Sequence, residues 1–415
     1  MVKAKVRQME IGEQDDRERN RVSDPKMANL SVKRSGPRVG GGRTSHDQHI
    51  ESPKDLRICV VAPSMRLYGG QSIQADRLIT ALNCEPGVSA ELLPIDPRLP
   101  GILGLLQRVK YVRTILTELT YLILLLTRLR HFDVIHIFSA SYFSFILAPT
   151  PAVLIARFFK KPTVLNYHSG EAADHLENWP RTALPIIKKA DRLIVPSQYL
   201  VDVFARFGCK SEAISNTVEL DRFTFRERYP LRPILLSNRN FEKHYNVVGT
   251  LRAFALIEKE IPEARLIVAG DGSENEALRA LAGELGLKRV EFCGSVPPSR
   301  MPELYDAADI FINSSVVDNM PLSIIEAFAC GLAIVSSGAG GIPYIINHQR
   351  NGILVIPEDH HAMARAVISL LQDQGAAHRM IANAQADSEL YTWPAVKPMW
   401  IAVYEELVEL AKVAG

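Results

Sequence analysis

Two carboxylic acids stand eight residues apart in the stretch Asp318-Asn-Met-Pro-Leu-Ser-Ile-Ile-Glu326-Ala-Phe-Ala-Cys-Gly331. The apolar run Ile310–Ser315 before them reads as a strand. A helix is expected to begin near Pro321, because proline suits a first helical turn, where its missing N–H would be unpaired anyway. The N–H groups of Met320, Leu322 and Ser323 would then face a phosphate, helped by the helix dipole. Asp318 ahead of that helix and Glu326 on its second turn can look into one cleft. Taken alone, a capping Asp and a surface Glu would give the same spacing.

Such a site needs strands that end together. Strand-like runs begin at Leu56-Arg-Ile-Cys-Val-Val-Ala and continue at Val134–Phe138, Thr163–Tyr167, Arg192–Pro196 and Ala213–Asn216, mostly with helical patterns between them. One helical pattern, Ile73, Ala75, Leu78, Ile79 and Leu82, follows a turn at Gly69-Gly70. A second series runs through Ile234–Ser237, Leu266–Ala269, Val290–Cys293, Ile310–Ser314, Ala333–Ser336 and Ile353–Ile356. Alternating strands and helices mean βαβ units and parallel sheets. The Arg- and Pro-rich segment Phe223–Pro233 divides the two series and reads as a hinge. The fold class is therefore α/β, with two doubly wound domains and ligands at the carboxyl ends of the strands in the cleft between them.

Composition agrees. A chain of 415 residues, 47% apolar, has room for two or three domains with real cores. The charge is nearly balanced, 48 Lys+Arg against 46 Asp+Glu, which argues against a nucleic-acid coat. Residues 1–55 carry 12 basic and 9 acidic residues, and residues 1–54 read as a polar, disordered extension, within which Met27 is an alternative start. No apolar h-region marks a secretory signal. Five scattered cysteines lack zinc spacing and read as small buried hydrophobes in a reducing, cytoplasmic setting. From Gly101 to Arg130 apolar residues recur at helical spacing. Arg98, Arg108, Lys110, Arg113, Arg128 and Arg130 face Glu118 alone across residues 98–131. Too short an apolar core to span a bilayer, this reads as a basic amphipathic helix lying on an anionic membrane, or as an ordinary sheet-covering helix.

The acid stretch resembles glycosyltransferase family 4, whose hallmark is two Glu residues separated by seven others and running into a small-residue helix like Glu326-Ala-Phe-Ala-Cys-Gly331. The likeness covers nearly everything after residue 55. It implies a GT-B fold, in which a final helix crosses back to the first domain, here after Trp393-Pro394. It implies a retaining transferase that moves a sugar from a nucleoside diphosphate sugar without a metal ion or other cofactor. Glu326 would hold the donor ribose and Asp318, one methylene shorter than the usual Glu, the transferred sugar. Asn319, Met320, Pro321 and Leu322 would line the donor. Ser237-Asn-Arg239-Asn-Phe-Glu-Lys243 resembles the motif whose Arg and Lys bind the diphosphate; cations there neutralise charge on the leaving group. Lys243 lies one or two residues early, and Tyr245 falls near the usual lysine.

Gly270-Asp271-Gly272 matches the βα turn near the nucleotide, although glycine there can serve the backbone alone. Gly294-Ser-Val296 matches the turn beside the base, and Gly340-Gly341-Ile-Pro343 a further turn, with Tyr344 where Glu is common. Asn216-Thr217-Val218 departs from the usual Asn-Gly-Val. Gly70 would admit the donor phosphate. His168, closing its strand, would sit near the sugar, with Glu171 and Asp174 as further polar residues on the acceptor side; His136 belongs to a buried strand. Residues 55–225 would form the acceptor-side domain, 226–390 the nucleotide-sugar domain and 391–415 the crossover helix. The expected partners are a nucleoside diphosphate sugar and a glycan or lipid-linked acceptor, with peripheral contact to the cytoplasmic face of a membrane and no nucleic acid. The product would belong to surface polysaccharide or glycolipid. A nucleotide-sugar epimerase and a non-catalytic nucleotide-sugar-binding partner remain as alternatives.

Overall fold

A computed structural model describes residues 56–67, 69–98 and 110–414. The expected extension over 1–54 and the part of the helical pattern at 99–109 lie outside those residues.

The first sheet is parallel, ordered β2-β1-β3-β4-β5-β6. Its strands are β1 (Leu56–Ala62), β2 (Val88–Pro94), β3 (Val134–Ser139), β4 (Thr163–Tyr167), β5 (Arg192–Val195) and β6 (Glu212–Ala213). Ile58 through Ala62 are wholly buried, as strands covered on both faces must be. The edge strand β2, which the sequence reading lacks, pairs with β1 along its whole length. The expected strand at 213–216 is reduced to two residues; beyond it, the Thr217 N–H donates to Gln74 Oε1 at 3.0 Å. Helices α1 (Gly70–Asn83), α2 (Lys110–Arg128), α3 (Tyr142–Leu147), α4 (Pro149–Phe158), α5 (Ala172–Asn178), α6 (Pro180–Ile187) and α7 (Gln198–Arg206) follow in chain order.

The second sheet is also parallel, ordered β12-β11-β10-β7-β8-β9. It holds β7 (Ile234–Ser237), β8 (Arg265–Ala269), β9 (Val290–Gly294), β10 (Ile310–Asn313), β11 (Ala333–Ser337) and β12 (Ile353–Val355). Around it lie α8 (Val247–Glu260), α9 (Asn275–Glu284), α10 (Met301–Ala307), α11 (Leu322–Cys330), α12 (His360–Gln372) and α13 (Gln374–Ser388). In each sheet the strand order reverses once, between β1 and β3 and between β7 and β10. A crevice opens at the carboxyl ends on either side of such a reversal.

The last helix, α14 (Trp393–Ala414), returns to the first domain. Its Val396, Trp400, Val403, Tyr404 and Leu407 share a core with Ile58, Val60, Ala75 and Leu78. The Tyr404 hydroxyl lies 2.8 Å from Nδ1 of buried His136, and Lys397 and Trp393 both donate to Glu85. Helix α2 buries Tyr121 and Leu125, and the turn after it Leu129, against the opposite face of that sheet. Its outer side exposes Val112, Ile115, Leu119, Ile123 and Leu126. No described helix is long and apolar enough to cross a membrane. Cys59, Cys209 and Cys330 are buried free thiols, but Cys84 is exposed and Cys293 half-buried, so the reading of all five as buried is corrected.

The segment 223–233 is pinned to the second domain rather than left loose. Asp309, buried ahead of β10, accepts from Arg226 at 2.6 Å and from the Arg232 side chain at 2.8 Å and its N–H at 2.7 Å. The buried Arg228 donates to the carbonyls of Ala308 and Tyr305. Burial works against the Asp309 charge, yet these donors hold its carboxyl below the usual range. Asp309→Ala leaves the buried Arg228 and the Arg232 guanidinium without a carboxylate, while Arg226 keeps Asp306, and should cost about 3 kcal/mol in urea unfolding. The stabilisation from Asp309 should be full above about pH 4 and be lost as pH falls through the lowered folded-state value.

Candidate active site

Arg239 leaves the carboxyl end of β7. Its Nη2 pairs with Asp318 Oδ2, its Nη1 donates to Ser323 Oγ at 3.2 Å, and its Cζ lies 4.1 Å over the Tyr245 ring. The remaining donor, Nε, is buried without an acceptor among the described residues. The loop carrying Arg239 rests on the Gly270–Gly272 turn. A Cβ on Gly270 would stand 2.2 Å from the Arg239 carbonyl oxygen, and one on Gly272 2.7 Å from that of Phe241. Both glycines also have φ near +155°, a conformation that L side chains rarely adopt. Asp271 turns back on its own loop, accepting from Asn275 at 2.7 Å and from the Gly272 N–H at 2.8 Å, which lowers its pKa.

Asp318 and Asn319 leave β10 on the other side of the crevice. They lie on Gly340 and Gly341, whose added Cβ atoms would fall 2.0 Å from the Asp318 carbonyl oxygen and 1.8 Å from that of Asn319. The Gly341 N–H donates to the Asp318 carbonyl at 2.9 Å. Burial pushes the Asp318 carboxyl up, against the pull of Arg239 and the Asn319 N–H. Pro321 is the extended cap of α11 rather than its first turn. Among the described residues the N–H groups of Met320, Leu322 and Ser323 have no acceptor, so the helix start can take an anion. Asn319 is held by Ser197 of the first domain, and the Sδ of Met320 takes the Asn216 N–H. Those two side chains join the domains.

Glu326 accepts from the buried Tyr305 hydroxyl at 2.7 Å. Burial raises its pKa; Tyr305, Arg77, Arg222 and Arg239 oppose that rise. It ends a cavity of about 370 Å³ lined by Arg77, Arg222, Val296, Pro298, Met301 and Leu322 among others. Tyr305, Arg77 and Arg222 carried no motif and escaped the sequence reading.

Across the crevice, Gly70 opens α1, and a Cβ there would meet nothing within 4 Å. Packing does not require glycine at this point. His168 stacks on Phe138 with ring centroids 4.9 Å apart, and its Nε2 is buried without a partner among the described residues. Burial depresses its pKa to about 3, so the ring is neutral. Gly170, two residues on, lies against the Asn319 backbone. Lys243 is not brought to this group. It sits exposed in a separate 230 Å³ hollow beside Glu242 and Glu274, and Tyr245 faces Arg239 instead.

Residues 88–222 match the family model described as Glycosyltransferase Family 4, and residues 221–387 match Glycosyl transferases group 1. The chain belongs to the family 4 glycosyltransferases. An uncharacterized glycosyltransferase of Methanocaldococcus jannaschii is 33% identical over 149 residues, 35% of this glycosyltransferase chain and 38% of that protein. The sulfoquinovosyl transferase SQD2 of Arabidopsis thaliana is 27% identical over 290 residues, 63% of this chain and 54% of its own. The chain thus spans about half the length, or less, of these curated relatives. The crystal structure of Anabaena HepE in complex with UDP superimposes with a TM-score of 0.66 at 18% identity, covering 85% of this chain and all of that one; this likeness shows the GT-B fold.

Gly341 has an ordinary backbone conformation, so alanine there tests the close approach alone. Gly341→Ala should lower stability by about 1–3 kcal/mol and displace the acid loop. Thermal melts should show the loss, and titration with nucleoside diphosphates should show weakened binding.

Proposed function

We propose that this glycosyltransferase moves a sugar, with retention and without a metal ion, from a nucleoside diphosphate sugar to a hydroxyl of a glycan or lipid-linked acceptor in surface polysaccharide or glycolipid synthesis. One observation carries the reading: Glu326, the unpaired N–H groups at the start of α11, and Arg239 follow one another along a single crevice. Ribose hydroxyls would donate to Glu326. The diphosphate would lie on the helix start and Arg239, and the sugar near Asp318 and His168. The bond from the anomeric carbon to the phosphate oxygen breaks as the acceptor oxygen bonds to that carbon from the same face. The acceptor proton passes to the departing diphosphate. Arg239 and the N–H groups stabilise the charge that develops there, the role a metal ion fills in other transferases. Anabaena HepE, with the same fold, is a UDP complex, which supports a nucleotide in this crevice.

The turned-away Lys243 favours a second reading, binding without transfer. Arg239→Ala separates the two: abolished turnover of a donor that the wild-type protein consumes supports transfer. Glu326→Gln keeps an acceptor for Tyr305 but loses the charge. It should melt no lower than wild type and bind nucleoside diphosphate sugars about 100-fold more weakly, the worth of about 3 kcal/mol. Wild-type affinity in calorimetry would overturn the assignment of Glu326.

The membrane contact rests on α2. Its exposed apolar residues step by three or four, with Ile115 62% exposed, while Arg113 and Arg130 are also exposed. An amphipathic helix with flanking cations suits the cytoplasmic face of an anionic bilayer. Ile115→Ser with Leu119→Ser should abolish flotation with phosphatidylglycerol vesicles, and Arg113→Glu should weaken it most at low salt. Flotation unchanged in both would remove the membrane contact.

A further inference from the structure

Tyr142 holds φ at +56°, a left-handed conformation that is costly for a bulky side chain. It stands where the chain leaves β3, on the side of the first sheet's crevice opposite Gly70, and the Gln71 amide on α1 donates to the Ser139 carbonyl there. Its hydroxyl donates to Asp174 Oδ2. Its ring lies 5.2 Å from that of His175 and 6.1 Å, edge-on, from that of Trp179. Beneath the corner Ser141, Tyr167 and His175 form a buried chain, with Ser141 Oγ 2.9 Å from the Tyr167 hydroxyl and that hydroxyl 2.7 Å from His175 Nδ1. Burial lowers the His175 pKa to about 4, so this support is uncharged at neutral pH.

None of these groups serves the donor crevice, yet they border it. Glu171 is close enough to influence the hydroxyls of both Tyr142 and Tyr245, and Tyr245 carries Arg239. Tyr142 and Trp179 are half-buried, while Glu171 and Asp174 are exposed and in no ion pair among the described residues. Asp174 Oδ1 accepts no hydrogen bond among the described residues. Unpaired carboxylates repel an anionic head group and accept strongly from hydroxyls. Aromatic faces, negative at their centres, attract the carbon-bound hydrogens of a saturated ring.

We propose that Tyr142, Asp174 and Trp179 form the acceptor subsite, and that it receives an uncharged sugar or cyclitol ring whose hydroxyls donate to Asp174 while its C–H face lies on the aromatic rings. The proposal rests on the transferase reading for its name but not for its binding. Saturation-transfer NMR on the full chain with methyl α-glucopyranoside, methyl α-mannopyranoside and myo-inositol tests binding. At least one should bind the wild-type protein, with about tenfold weaker binding in Tyr142→Phe and Asp174→Asn proteins that melt like wild type. In transfer assays the acceptor KM should rise by the same factor, with a much smaller change in donor KM. Presenting the same rings as octyl glycosides in phosphatidylcholine vesicles tells a free sugar from a lipid head group, and the subsite variants should lower use of whichever form is accepted. Absence of binding by every ring, or equal binding in both variants, would overturn the proposal. Binding that responds to the variants in a protein that turns over no donor would instead overturn the transferase reading and leave the subsite standing.

Discussion

The peptide of Asp318 and Asn319 lies against residues 340 and 341 at a separation that no side chain could fit, and the Arg239 loop lies in the same way against Gly270. These two backbone contacts set the width of the crevice. With them in place, β7 and β10 deliver a cation and an acid to opposite lips of one reversal in strand order, close enough to pair. Widening either contact by the radius of a methyl group would part Arg239 from Asp318 and turn the first N–H groups of α11 away from the crevice. The chemistry is thus set by main-chain proximity, and the charged side chains inherit their positions from it.

The electrostatics follow. Asp318 and Glu326 are carboxylates in surroundings that disfavour charge, and each is held by a small set of fixed donors: Arg239 and an N–H for one, Tyr305 and more distant guanidiniums for the other. Donors fixed in a dry site need no reorganisation when a ligand replaces water, and this makes their interactions strong. Without a ligand Arg239 spends its charge on Asp318, Ser323 and the Tyr245 ring, and leaves Nε unpaired.

The acids were legible because one stands in the loop that leaves a strand and the other on the helix which that loop opens, and the alternating runs gave nearly every strand. The edge strand β2 was not, since its exposure does not alternate strictly. Lys243 illustrates a different limit. Asn246 takes φ +48° to cap α8, and the tight turn Lys243–Tyr245 before it points Tyr245 at Arg239 and Lys243 away. An offset of one or two residues in a loop reverses which side chain faces a site, and no periodicity reports it. Gly340-Gly341 could be read as a turn, but its purpose depends on residues 22 positions earlier that only the folded chain brings near. The Arg-rich linker looked like a hinge because its partner, Asp309, lies some 80 residues away.

Helix α14 carries a consequence for the order of events during synthesis. Residues 393–407 complete the core on one face of the first sheet, where Tyr404 reaches His136 and the Trp400 ring lies tilted against the same imidazole. The central strands of that sheet, β1, β3 and β4, are made more than two hundred residues earlier. Until the closing helix emerges, Ile58, Val60 and Leu78 have an open apolar face, and the contacts that cover it span nearly the whole sequence. Such long-range closure is slow, and the uncovered sheet is prone to aggregate meanwhile. The second domain, whose sheet is built from neighbouring segments, can finish first although it is translated last, and it then carries on its own tail the piece that completes its predecessor.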